Sequence, residues 1–317
     1  MTSFGIIILN WNGKADTLKC LASIPAGPEI VVVDNGSTDG SARAIEELFR
    51  DITLIEMGEN LGYAGGNNVG INHGLKKGWE TFLILNNDTT VDRALVAELQ
   101  KAMETHPKVG IFGAKILRMD DPTRFDHLGG QWNAEKGGFD LIAEGASDVG
   151  YEEMVELDYV CGAAICVRRE VFEAVGSFEP NFFLFWEESD LCFRARKAGF
   201  EVRLCPTAKI LHKGSASFVG GKPHTTYFYW RGRLLWLHRN LTPKEVQHQL
   251  QEVGREWRRL VKRRLLKSLH LALATFTDRK SLPRRKKELK QTRAALFGMR
   301  DFFRGRFGAG PAWIYKK

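Results

Sequence analysis

Short blocks of Ile, Val and Leu recur along the first ninety residues, and each stops at polar or glycine residues before the next stretch begins. The blocks are FGIIILNWNG (Phe4 to Gly13), EIVVVDNGSTDGS (Glu29 to Ser41), ITLIEM (Ile52 to Met57) and WETFLILNNDTTVD (Trp79 to Asp92). Apolar runs of this length, closed abruptly, read as strands buried on both faces. The stretches between them carry helical spacing, as in Ala44, Ile45, Leu48 and Phe49. Strand, loop and helix in succession predict parallel strands joined by right-handed crossovers, hence an α/β chain with a mostly parallel sheet flanked by helices.

In open sheets of this kind ligands bind at the carboxyl ends of the strands. Asn10 closes the first run, Asp34 and Asn35 the second, and Asn86, Asn87 and Asp88 the fourth. A carboxylate beside two amides suits a divalent cation holding a phosphorylated ligand, and it equally suits the cap of a turn. The third unit enters ENLGYAGGNNVGIN, Glu59 to Asn72. Here Gly62, Gly65 and Gly66 permit close backbone approach, and a helix beginning near Asn67 would aim its amides above the sheet. Neither a P-loop nor a GxGxxG fingerprint after the first strand is present. Asp92 is expected to cap a helix with Leu95, Val96, Leu99 and Met103 on one face, ended by Pro107.

From Asp120 to Asp158 glycines fall between polar residues, which predicts an insertion of hairpins or loops without chemistry. Val160 to Phe178 reads as a strand and a helix ended by Gly176. In NFFLFWEESDLCFRARKAGF, Asn181 to Phe200, three acids (Glu187, Glu188, Asp190) follow a block of aromatics at a helix start. First-turn acids complement the helix dipole, while a carboxylate set against aromatics is partly desolvated and so a stronger base. EVRLCPTAKILHKGSAS, Glu201 to Ser217, predicts a strand pair ending in His212 and a flexible Gly and Ser run. The neutral imidazole of His212 could complete a metal site with Asp88.

Composition agrees with a globular chain: 317 residues, 44% hydrophobic and 26% charged. Five cysteines without a CxxC pair point to reduced, buried thiols in a cytoplasmic protein. No signal peptide is visible, and no apolar stretch reaches the roughly 18 residues of a spanning helix. The net charge of +8 is uneven: Arg255 to Arg306 holds 18 Lys and Arg against 4 Asp and Glu, a local +14 that leaves −6 for the remainder.

Four separated stretches, VVVDNGSTDGS, NLGYAGGNN, LNND and FFLFWEESDLCFRARKAG, in this order and spacing resemble the inverting glycosyltransferases of family 2, and among them the bacterial rhamnosyltransferase-like enzymes. The resemblance covers about Ser3 to Asn240 and implies the GT-A fold over residues 1–240, with 241–317 as a basic helical appendage. It implies that Asp34 binds the donor's base or ribose, and that Asp88 is the metal-binding carboxylate ending the DxD motif, with Asn86 where many members have the first Asp. His212 matches the histidine that often completes the site, with Mn²⁺ or Mg²⁺ as the ion. Glu188 matches the general base of a motif usually written Glu-Asp; here Glu replaces that Asp, so Asp190 is a second candidate. Asn10, Gly66, Asn67 and Asn86 are assigned to the donor side.

Arg231 and Arg233 stand where family members have a similar Arg-x-Arg. Phosphate contact and a solvated helix face both account for them. Beyond Leu250 a basic amphipathic helix is suited to an anionic membrane surface, with nucleic acid the rival partner and plain packing a third reading. The function expected is metal-assisted transfer from a nucleotide sugar to a cell-surface polysaccharide or lipid-linked glycan, by a cytoplasmic, membrane-peripheral enzyme, without nucleic acid. The alternatives are a noncatalytic glycan- or polyanion-binding relative and a sugar-phosphate nucleotidyltransferase, though the latter would need a basic glycine-rich loop where Asn10, Trp11, Asn12 and Gly13 stand.

Overall fold

The computed structural model describes residues 3 to 214 and 222 to 316, with only the backbone at 275 to 277; most of the expected Gly and Ser run lies outside the described residues. Two compact units are present, Met1–Pro180 with Glu187–Ser215, and Asn181–Trp186 with Ala216–Lys317.

In the first unit each apolar run is a strand. The order is β1 (Phe4–Asn10), α1 (Lys14–Ser23), β2 (Glu29–Asp34), α2 (Ser41–Leu48), β3 (Thr53–Glu56), α3 (Gly62–Lys77) and β4 (Thr81–Asn86). These four strands run parallel, in the spatial order β3, β2, β1, β4. Their register sets Asn10 beside Asp34 and Leu9 beside Asn86, so the polar ends of three strands meet at one edge. The runs are apolar throughout because both faces are covered. Ile6, Ile8, Val32, Leu83 and Leu85 belong to one core, while Ile7, Val31, Val33, Phe82 and Ile84 belong to the other.

The chain continues through β5 (Thr89–Val91), α4 (Leu95–Thr105), β6 (Val109–Arg118), the hairpin β7 (Gly130–Asn133) and β8 (Gly138–Leu141), β9 (Ala164–Arg168), α5 (Arg169–Val175), α6 (Glu187–Lys197) and β10 (Glu201–His212). The full sheet order is β3, β2, β1, β4, β9, β6, β10, β5. β9 is antiparallel to both neighbours, β10 is parallel to β6, and β5 turns back antiparallel to β10.

Two expectations are corrected here. The helix expected near Asn67 begins at Gly62, whose φ of 76° is a left-handed value that glycine supplies without strain. The side chains of Asn60 and Asn35 accept hydrogen bonds from the Gly62 and Leu61 amides and hold this entry. Within α3, Gly66, Gly70 and Gly74 face the sheet. A Cβ added there would come within 2.4 Å of Leu9, 2.5 Å of Ile7 and 2.3 Å of Trp79. The expected strand pair after Glu201 is instead one long strand, β10, paired with β6 on either side of a bulge between Cys205 and Lys209. Pro206 explains the interruption, since it has no amide to donate to a ladder.

The second unit is helical: α7 (Pro223–Asn240), α8 (Pro243–Thr277) and α9 (Leu282–Phe303). α7 is grouped with the two helices that follow it. The reason is packing, because Tyr227 and Phe228 of α7 are buried with Ala294 of α9, and Gly298 lets the Tyr227 backbone approach. Thr242 and Glu245 close a reciprocal capping box at the start of α8.

Candidate active site

Strand pairing explains how two residues 124 positions apart in sequence come together. β5 follows Asp88 at once and pairs with the end of β10, with Thr89 opposite His212, and the Lys213 amide donates to the Asp88 carbonyl at 3.0 Å. His212 Nε2 then lies 3.2 Å from Asp88 Oδ1, at ion-pair distance but not aligned as a hydrogen bond. Its other nitrogen, Nδ1, is 2.8 Å from Asp126 Oδ2. Burial opposes charging of this imidazole, yet the hydrogen bond with Asp126 and the negative charge of Asp88 close to Nε2 outweigh it and push its pKa up to about 10. A carboxylate oxygen and an imidazole nitrogen aimed at each other fit one divalent cation of the Mn²⁺ type, which would take the place of that proton. Among the described residues no group of three or more His, Cys, Asp or Glu gathers as a cage, so the other positions would fall to diphosphate oxygens and water.

The second cluster lies at the ends of β1 and β2. Asp34 is 2% exposed. Its Oδ2 accepts from Asn10 Nδ2 at 2.6 Å and its Oδ1 from the Ser37 amide at 2.8 Å, so the carboxylate shapes the loop that follows β2. Asn10 is the hub, since its Oδ1 accepts from Thr17 at 2.7 Å and from Asn87 at 3.4 Å. Trp11, directly after this hub, leaves its indole about half exposed.

The third element is the start of α6. Phe183, Phe185 and Trp186 have φ of 66°, 69° and 78°, outliers for bulky residues, immediately before Glu187. Glu188 Oε2 is buried and has no hydrogen-bond partner. Burial raises the Glu188 pKa, and the charge of His127 works against that rise. Near it lies the Gly162 backbone, whose carbonyl accepts from the Tyr63 hydroxyl at 2.7 Å; a Cβ on Gly162 would be 3.6 Å from both Glu188 Oε1 and the Tyr63 oxygen. Asp190, the second candidate base, is fully buried and paired with Arg194 at 2.8 Å.

The remaining expected residues divide. Asn86 is half-buried at the end of β4, its backbone amide bonded to Ala163 and its carbonyl to Thr89. Gly66 admits Leu9, and Asn67 is fully buried with Nδ2 donating to the Tyr63 carbonyl. Arg231 and Arg233 are not solvated cations and do not stand open to a ligand. Arg231 is fully buried over the rings of Tyr227, Phe228 and Phe307, and Arg233 pairs with Glu256 at 2.7 Å. Asp126 and His127 come from the insertion expected to carry no chemistry. Their Asp-His dipeptide sits in a loop without periodicity, so only the adjacency of two titratable residues marked it.

The sheet and its flanking helices are those of the GT-A fold of glycosyltransferases. The chain belongs to glycosyl transferase family 2, whose model matches residues 5–176. It is 27% identical over 220 residues to the low-salt glycan biosynthesis hexosyltransferase Agl10 of Haloferax volcanii, covering 67% of each chain. It is 26% identical over 256 residues to an N-acetylglucosaminyl-diphospho-decaprenol L-rhamnosyltransferase of Mycobacterium tuberculosis, covering 69% of this chain and 83% of that one. Among solved structures, a mannosyltransferase of Pyrobaculum calidifontis in complex with GDP-Man and Mn²⁺ aligns with a TM-score of 0.55 at 16% identity, over 95% of this chain and 87% of the other. GalNAc-T7 with UDP, GalNAc and Mn²⁺ aligns with a TM-score of 0.57 at 14% identity, over 73% of this chain and about half (48%) of that one.

Proposed function

We propose that this glycosyltransferase moves a hexose of the rhamnose type from a nucleoside-diphosphate donor, with inversion, to a hydroxyl of a lipid-linked glycan or cell-surface polysaccharide. The observation that carries this reading is the Glu188 carboxylate, buried and unpartnered at Oε2 and shifted toward proton affinity, in the same unit as the Asp88 and His212 pair. The rhamnosyl character and the lipid-linked acceptor rest on the rhamnosyltransferase relatives, among them a dTDP-rhamnosyl transferase, RfbF, of Shigella flexneri, 24% identical over 223 residues.

In this mechanism Glu188 takes the proton of the acceptor hydroxyl as its oxygen attacks the anomeric carbon from the face opposite the diphosphate. The new carbon–oxygen bond forms as the bond to the β-phosphate breaks, so one displacement inverts the centre. Asp88 and His212 would hold a Mn²⁺ or Mg²⁺ ion, which when bound would supply charge neutralisation for the leaving diphosphate. The loop shaped by Asp34 and Asn10 receives the nucleoside, and the exposed indole of Trp11 offers a stacking surface for its base. All five cysteines are free and buried, in keeping with a cytoplasmic enzyme.

Replacing Glu188→Gln tests the assignment. Transfer should fall by roughly 10²- to 10⁴-fold while nucleotide affinity is kept. Wild-type turnover in that variant would refute the base. Chelation should abolish transfer, and added Mn²⁺ or Mg²⁺ should restore it.

A further inference from the structure

α8 presents two unlike sides. On one, Val253 and Ala274 are buried and Lys267 reaches Glu288 of α9 at 3.3 Å. On the opposite side Val261, Leu265 and Leu269 follow at four-residue spacing, with Leu266 beside them. Leu265 is 67% exposed, Leu269 57% and Leu266 46%. By helical spacing Arg258 and Lys262 fall within this leucine face and Arg259 on its edge. None of these three, nor Arg263 or Arg264, forms an ion pair among the described residues. No helix among the described residues is long and apolar enough to cross a membrane.

We propose that this face of α8 docks on a bilayer surface that carries anionic lipid. The leucines would enter the headgroup boundary, and the long Arg and Lys side chains would bury their stems while their charges meet lipid phosphates. Charge complementarity selects this occupant. A second copy pairing face to face would set Arg258 and Lys262 against themselves, and nucleic acid would leave the leucines in water. The proposal goes beyond the transfer reaction and stands whether or not Glu188 is the base.

The test is co-sedimentation of the full-length protein with vesicles of phosphatidylcholine, alone or mixed with phosphatidylglycerol. The mixed vesicles should retain the protein at low salt and the neutral ones should not. A Leu265→Gln, Leu269→Gln variant and an Arg258→Gln, Arg259→Gln, Lys262→Gln variant should each lose about tenfold or more of that retention. Both sets of side chains are exposed, so Tm should not change. Three results would overturn the proposal: no retention by anionic vesicles, equal retention of the leucine variant, or a leucine-dependent dimer that ignores vesicles.

Discussion

His212 Nδ1 is held at 2.8 Å by Asp126, so that Nε2 is the nitrogen turned toward Asp88. A carboxylate on the far nitrogen fixes both ring orientation and tautomer. Asp126→Ala should therefore weaken Mn²⁺ binding by about 10- to 100-fold without removing a ligand. Calorimetric titration of the protein with Mn²⁺, in the absence of donor, measures this; unchanged affinity would mean that the Asp126 contact does not orient the ring.

Glu188 makes opposite demands on stability and rate. Folding raises its pKa through burial. A carboxyl group so shifted favours the folded state at low pH, and that contribution is lost as pH rises through the folded-state pKa. Glu188→Gln should then melt above the wild type at neutral pH, with the difference shrinking as pH falls into the ordinary carboxylate range. Transfer by the wild type should decline across the same acid limb, because the base must be ionised. Melting curves and initial rates over one pH series check both signs.

Two glycines in helices should respond to alanine in opposite directions. Gly74→Ala places a methyl against Trp79 and Phe82 and should destabilise by about 1–3 kcal/mol. Gly254→Ala in α8 meets nothing within 4 Å and should stabilise by about 1 kcal/mol through helix propensity. Denaturant midpoints of the two variants give the comparison.

Arg231 is enclosed by three rings and makes two long contacts, to the Tyr227 hydroxyl at 3.5 Å and the Phe182 carbonyl at 3.4 Å. Met fills a similar volume without a charge to desolvate, so Arg231→Met should keep or raise Tm. Arg231→Ala, which leaves a cavity, should lower stability by about 2–5 kcal/mol. Donor affinity should be the same in wild type and the Met variant; a selective loss there would restore a phosphate role.

Much of this architecture was legible in the residues because a strand covered on both faces must be apolar throughout. β1, β2 and β4 announce themselves in that way, and their polar ends mark the ligand edge. The start of α3 was hidden because glycine is a poor helix former, and only the closeness of Leu9, Ile7 and Trp79 makes it the right residue there. β5 is too short for periodicity, yet it carries Asp88 to His212. Asp126 and His127 are assembled by tertiary contact alone. Asp190 and Arg231 are both fully buried, and burial cannot be read from a charged letter in a string.

The bulge in β10 sets a phase. Between Cys205 and Lys209 three residues drop out of the pairing with β6, an odd number, and side chains alternate faces at every step. Trimming one residue from that bulge would turn the imidazole of His212 away from Asp88, and would bring Lys209 to the face that Ile210 now fills. In this protein the count of unpaired residues far from the ligand edge works as a frame, and a frameshift in space would silence the site as surely as one in the gene.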